Sequence, residues 1–188
     1  MNICVYGAAS DSIDRSFIEA GERLGEEMAK RGHDLIFGGG GGGLMGAVAR
    51  GVHRQGGVKI TGIVPDFFTE DGKHVDGLLF QHIDEYIETD HMRERKKLLD
   101  EMADAFIISP GGIGTYDELF EMLTLKNLGQ HKKVMAVLNT NGYYDSLLAV
   151  LESGIKAGFI KEKVMGLLFV SEDINEILDH IEKTPDNG

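Results

Sequence analysis

Six short runs of apolar residues recur along the chain, with helical patterns between them. The runs are Asn2–Tyr6, Asp34–Phe37, Lys59–Val64, Ala105–Ser109, Val134–Leu138 and Leu167–Val170. They are nearly continuous rather than alternating, which marks parallel strands covered on both faces. The intervening patterns predict helices over roughly 14–31, 43–55, 90–103, 115–128 and 143–153, and a last one after Ser171. Asp90 is the expected N-cap of the third. Leu78–Ile83 is a weaker piece, an edge strand or an extended loop. This alternation argues an α/β fold, a doubly wound parallel sheet with helices on both faces.

The chain has 188 residues, which fits one domain over 1–184 with 185–188 as a frayed tail. At 42% hydrophobic it can bury a core without disulfides, and disorder is excluded as the main state. Lys and Arg number 19 and Asp and Glu 31, so the net charge is 19 − 31 = −12. Such a chain repels nucleic acid and anionic membranes, although a local basic pocket for one small anion remains open to it. The single cysteine, Cys4, lies in an apolar run and reads as a buried thiol. No Cys/His spacing suits a metal. No run reaches the length of a membrane span and no secretory pattern opens the chain, so a soluble cytoplasmic protein is expected.

The chain carries 26 glycines, and eleven of them fall within residues 38–62. Gly111, Gly112 and Gly114 form a second group after the run at 105–109. Glycines clustered behind apolar runs point to backbone that approaches a ligand closely. In an open parallel sheet, ligands sit beyond the carboxyl ends of the strands, at the switch in strand order. If the runs at 2–6 and 105–109 flank that switch, three segments share one rim: Gly7-Ala8-Ala9-Ser10, Gly38–Gly43 and Pro110–Thr115.

The segment 110–115 runs straight into a helix, so its N–H groups face outward at the positive end of a helix dipole. It is either a phosphate loop or a tight strand–helix turn. A dinucleotide fingerprint is missing after the first strand, and no loop ends in Gly-Lys-Ser/Thr. Arg95 precedes Leu98, Leu99 and Met102 on one helical stripe, whereas Arg93 and Lys97 point elsewhere. It either pairs with an anion or snorkels to water from the helix edge. Glu118 follows Thr115 by three residues, which suits a capping box as well as a functional carboxylate. Residues 66–89 show no clear pattern and read as a lid or a dimer contact, with His74, His82 and His91 solvated rather than ligands.

Met92-Arg93-Glu94-Arg95-Lys96, followed by Pro110-Gly111-Gly112-Ile113-Gly114-Thr115-Tyr116-Asp117-Glu118, resembles the Lonely Guy (LOG) family. That family carries Met-x-x-Arg-Lys and Pro-Gly-Gly-x-Gly-Thr-x-x-Glu motifs. Gly38-Gly39-Gly40, Gly43-Leu44-Met45-Gly46, Gly62-Ile63-Val64-Pro65 and Asn139 to Leu148 also look like it, and the likeness spans about residues 3–170. The resemblance implies a Rossmann-like homodimer that hydrolyses the N-glycosidic bond of nucleoside 5′-monophosphates, either AMP or cytokinin riboside monophosphates. The products would be a free base and ribose 5-phosphate. It implies Arg95 and Glu118 as the catalytic pair and Gly111, Gly112, Gly114 and Thr115 as the phosphate site. Met92, Lys96, Ser10, Gly39 and Gly40 would complete the substrate contacts. No metal or cofactor is required.

The partner expected is a small nucleotide. Members are often labelled lysine decarboxylases, but no feature of this chain suggests a pyridoxal phosphate site. The chain departs from many plant-like members at Arg93, where they carry His, and at Ile113, where they carry Tyr. Both changes bear on the base rather than on the reaction. The alternative reading is a non-catalytic protein that binds or carries a nucleotide or molybdenum cofactor, with a nucleotide sensor as a third.

Overall fold

A computed structural model describes residues 1–66, 69–70, 73–74 and 79–184, without the side chains of 69–70 and 73–74. The expected tail at 185–188 lies outside the described residues. The strands are β1 (Asn2–Tyr6), β2 (Asp34–Phe37), β3 (Ile60–Pro65), β4 (Thr69–Glu70), β5 (Lys73–His74), β6 (Glu85–Thr89), β7 (Ala105–Ile108), β8 (Val134–Leu138) and β9 (Phe169–Ser171). The helices are α1 (Arg15–Lys30), α2 (Gly43–Gln55), α3 (Met92–Met102), α4 (Ile113–Asn127), α5 (Asp145–Lys156) and α6 (Ile174–Lys183).

Seven strands form one parallel sheet in the order β6-β3-β2-β1-β7-β8-β9, and β4 and β5 make a separate antiparallel pair. The chain moves outward from β1 through β2 and β3, then returns through α3 to place β7 on the other side of β1. The switch in strand order therefore lies between β1 and β7, as the apolar runs at 2–6 and 105–109 suggest. Both faces of the sheet are covered. Leu24, Met28, Leu44, Val48, Ile177 and Ile181 of α1, α2 and α6 pack on one face. Leu99, Leu119, Met122 and Leu151 of α3, α4 and α5 pack on the other. Double coverage is why the central strands read as unbroken apolar runs.

Several local expectations need correction. The edge strand β6 reads Glu-Tyr-Ile-Glu-Thr and carries no apolar run, because an edge strand is covered less completely. Within Leu78–Ile83, residue 78 lies outside the described residues, and Leu79 makes only an isolated bridge to Gly40. Helix α3 begins at Met92 with His91, not Asp90, at its N-cap. Helix α4 begins at Ile113 with Gly112 at its N-cap, so Thr115 sits inside the first turn and no capping box forms with Glu118. Some glycines serve packing rather than a ligand. A Cβ on Gly25 would strike the Val48 carbonyl, and one on Gly51 the Glu22 carbonyl, so these two residues let α1 and α2 lie in close contact.

Cys4 is fully buried in β1, and burial pushes its thiol far above the usual range. His82 is exposed and stacks on His53 with ring centroids 4.0 Å apart, and His91 is also exposed. The side chain of His74 lies outside what is described. Among the described residues no helix is long and apolar enough to cross a membrane.

Candidate active site

Beyond the carboxyl ends of β1, β2 and β7, the loops leading into α2 and α4 and the first turn of α3 surround a cavity of about 720 Å³. The segment 7–11 sits between the two glycine-rich loops. The Ala8 N–H donates to the Pro110 carbonyl at 3.0 Å, and the Ala8 carbonyl accepts from the Met45 N–H at 3.1 Å. Among the residues singled out from sequence, Ser10, Gly40, Met92, Arg95, Lys96, Gly112, Gly114, Thr115 and Glu118 line this cavity. Gly39 and Gly111 do not. Gly39 is a left-handed turn (φ +78°) packed under Val64, and Gly111 packs against Thr115 and Ala8. Asp11, Met45, Leu79 and Asp117 also reach the wall, and the sequence reading missed them. Asp117 neighbours Glu118 in the motif and could have been found there. Leu79 could not, because it is brought over the glycine loop by long-range backbone pairing, the bridge to Gly40 and the Phe80 N–H donating to the Gly39 carbonyl at 2.9 Å.

Arg95 and Glu118 meet across the cavity floor, with Nη1 to Oε1 at 3.4 Å and side chains only 11% and 12% exposed. The stripe on α3 turns Arg95 inward, and its Nε donates to the Ile63 carbonyl at 3.1 Å. Gly38 makes room for it, since a Cβ there would collide with the guanidinium. One turn into α4, Glu118 faces the same space instead of its own N-cap. Burial pushes its carboxyl up to about 7, and the Arg95 charge only partly offsets this. A carboxylate held near neutrality beside a fixed cation is suited to proton transfer or to stabilising positive charge.

The two helix N-termini on the rim are furnished differently. At α2, Asp11 Oδ1 accepts the Gly43 N–H at 2.7 Å. At α4, the N-cap is Gly112, which has no side chain to accept from the helix, and no acidic residue occupies the first turn. The first N–H groups of a helix have no partner within it, so the α4 end is the one prepared for an anion. Lys96 is turned toward α4, with Nζ 2.5 Å from Asp117 Oδ2 and 2.8 Å from Glu121 Oε2. Burial lowers its basicity, but the two carboxylates outweigh that and raise it. It is therefore held charged between the two carboxylates. Among the described residues no group of His, Cys, Asp or Glu is placed to hold a metal ion. A second concavity of about 540 Å³ lies behind the glycine run, beside Arg50 and Arg54. Their guanidiniums are already engaged by Glu22, Glu26 and the Gly41 carbonyl.

The family model described as "Possible lysine decarboxylase" matches residues 45–181. Curated relatives match along nearly the whole chain. Cytokinin riboside 5′-monophosphate phosphoribohydrolase LOG of Oryza sativa subsp. japonica is 36% identical over 181 residues, covering 96% of this chain and 72% of that protein. The Arabidopsis thaliana enzyme LOG7 is 36% identical over 181 residues, covering 96% of this chain and 81% of that protein. This chain belongs to the LOG family. Solved structures agree on the fold. The molybdenum cofactor carrier protein of Chlamydomonas reinhardtii superposes with a TM-score of 0.69 at 18% identity, covering 97% of this chain and 96% of that one. The molybdenum cofactor binding protein of Rippkaea orientalis gives 0.67 at 17% identity, covering 96% and 93%. At such identities the likeness to these carriers is one of architecture, whereas the LOG relatives share sequence as well.

Proposed function

We propose that this chain hydrolyses the N-glycosidic bond of a nucleoside 5′-monophosphate, releasing the free base and ribose 5-phosphate. The observation that carries the reading is the desolvated Arg95–Glu118 pair, set in one cavity with the uncapped N-terminus of α4. The curated relatives of 36% identity act, by their names, on cytokinin riboside 5′-monophosphates. AMP and its N6-substituted forms are accordingly the substrates to try.

The phosphate binds at Gly112, Gly114 and Thr115, where helix N–H groups and the dipole favour negative charge. Binding there, remote from the bond that breaks, supplies positioning energy. Departure of the base leaves an oxocarbenium-like ribose, positive at the ring. The Glu118 carboxylate lies where it can stabilise that charge and take a proton from the attacking water. A guanidinium is a poor acid, so Arg95 instead orients the phosphate or the departing base. Ser10, Met92 and Gly40 complete the wall of the site. Gly39 and Gly111 act from behind that wall, as support for the two loops. The reading carries a homodimer with it, for which the outward Ile113, Phe120 and Phe159 offer apolar surface.

The test is incubation of purified protein with AMP, other nucleoside monophosphates and isopentenyladenosine monophosphate, with the bases resolved by chromatography. Free base is expected from wild type, and Glu118→Gln should keep nucleotide binding while losing about a hundredfold or more in kcat. Because Glu118 acts as the carboxylate and titrates at about 7, kcat/KM should fall as pH drops below that value. Intact nucleotides throughout, with one ligand tightly held, would establish a carrier instead.

A further inference from the structure

The phosphate loop has little means of fixing its own backbone. From Ser109 to Thr115 it offers one proline and three glycines, and glycine-rich peptide units reorient easily. Yet four successive carbonyls are each held by a donor from outside the loop or from the first helical turn. Ser109 accepts from the Tyr144 hydroxyl at 2.7 Å. Pro110 accepts from the Ala8 N–H at 3.0 Å. Gly111 accepts from the Tyr143 hydroxyl at 2.6 Å. Gly112 accepts from the Tyr116 N–H at 3.0 Å. In a trans peptide the C=O and the following N–H point in opposite directions. Pinning these carbonyls inward therefore turns the N–H groups of Gly111, Gly112 and Ile113 away from their holders.

The Tyr143 bond governs the unit that matters most. It fixes the peptide between Gly111 and Gly112, and Gly112 is both the N-cap of α4 and part of the cavity wall. Tyr143 itself does not line the cavity. It is held from several directions. The Tyr116 hydroxyl donates to it at 3.3 Å, and Phe17 meets its ring edge-on with centroids 5.8 Å apart. It follows a tight turn in which Asn141 adopts φ 57° and donates to Ser16 Oγ at 2.9 Å. The next residue is anchored too, as the Tyr144 N–H donates to Asn139 Oδ1 at 2.7 Å.

We propose that Tyr143 is a positioning residue that acts through the Gly111 carbonyl to aim the Gly112 N–H at the substrate's phosphate. This deepens the hydrolase reading and rests on its phosphate placement, but not on turnover. A tyrosine hydroxyl is a donor throughout the working pH range.

Tyr143→Phe keeps the ring and its contact with Phe17 and removes only the donor. Ribose 5-phosphate and adenosine are the two probes, titrated calorimetrically into wild type and variant. Loss of one oriented donor should weaken ribose 5-phosphate roughly tenfold and raise the KM for AMP by the same factor. The kcat should stay within about threefold and adenosine binding should not move. An unchanged affinity for ribose 5-phosphate would overturn the proposal. So would equal weakening of adenosine, which would mean that the whole pocket had shifted. Failure of wild type to cleave AMP would sink the hydrolase reading instead and leave the calorimetric comparison intact.

Discussion

Loops 38–43 and 110–115 both follow a buried strand, both enter a helix and both line one cavity, yet their glycines answer to different constraints. In the first, the chain itself demands glycine. Gly43 adopts φ +57°, and a Cβ there would sit 2.5 Å from the Ala8 carbonyl. A Cβ on Gly46, one turn on, would strike the Gly41 carbonyl. The end of that helix is also occupied, since Asp11 accepts the Gly43 N–H. In the second loop only Gly111 is crowded. A Cβ on Gly112 or Gly114 would meet nothing within 4 Å, and neither residue has a left-handed φ. The chain's own packing explains Gly39, Gly41, Gly42 and Gly43 and leaves Gly112 and Gly114 without a steric reason. Open space beside an uncapped helix end is what a bound phosphate needs. Glycine density alone does not separate a packing requirement from a ligand requirement, whereas the surroundings of each Cα do.

The contrast can be broken most sharply at Gly46. Gly46→Ala drives a methyl into backbone, and a loss of about 3 kcal/mol or more is expected in chemical unfolding. A wild-type midpoint would show that the first loop is less closed than its contacts indicate. Glu118→Gln comes next and should move stability the other way. A carboxyl raised from 4.5 to about 7 binds more protons folded than unfolded between those values. Its contribution to stability therefore falls as pH rises through that window, and the penalty is complete above about pH 7. The amide removes a penalty of about 3 kcal/mol at most. Urea titrations should show the variant more stable than wild type at pH 8, with the gain shrinking toward pH 5. An equal or lower midpoint at pH 8 would mean that Arg95 compensates the charge fully. Gly112→Ala is the mildest change. The N-cap has φ −90°, outside the left-handed region, and a methyl there would meet nothing within 4 Å. Stability should fall by no more than about 1 kcal/mol, the usual cost of alanine at an N-cap, while the KM for AMP rises several-fold. A large stability loss there would erase the distinction between the loops.

Much of the scaffold was legible residue by residue. The bounds of β1, β2 and β8 coincide with the apolar runs that announced them, and β3, β7 and β9 are displaced by one or two residues. Doubly covered strands leave an unmistakable pattern. β6 left none, because Glu85 and Glu88 can stay in water at an edge, where Lys59 Nζ reaches Glu85 Oε2 at 2.7 Å. Helix α4 starts two residues before the expected position, since Ile113-Gly114 reads as loop in sequence while the tyrosines behind it pin the preceding carbonyls. Glu118 was equally compatible with a cap and a functional carboxylate. Spacing along one helix cannot choose between them, because the deciding neighbour, Arg95, comes from another helix 23 residues away.

The sequence by itself determined the doubly wound sheet, the two glycine-rich loops, the place of Arg95 on the apolar stripe of its helix and the likeness to the LOG family. Those are matters of period, composition and short motifs, which local chemistry writes directly into residue order. Only the tertiary structure decided which helix end is open and which is closed by Asp11. Only it brought Glu118 to Arg95 and set the carboxyl near neutrality, and only it put Tyr143 behind the Gly111 carbonyl. Each of those depends on burial and on contacts between elements distant in the chain. Desolvation and hydrogen-bond geometry belong to the packed molecule, and no single segment carries them alone.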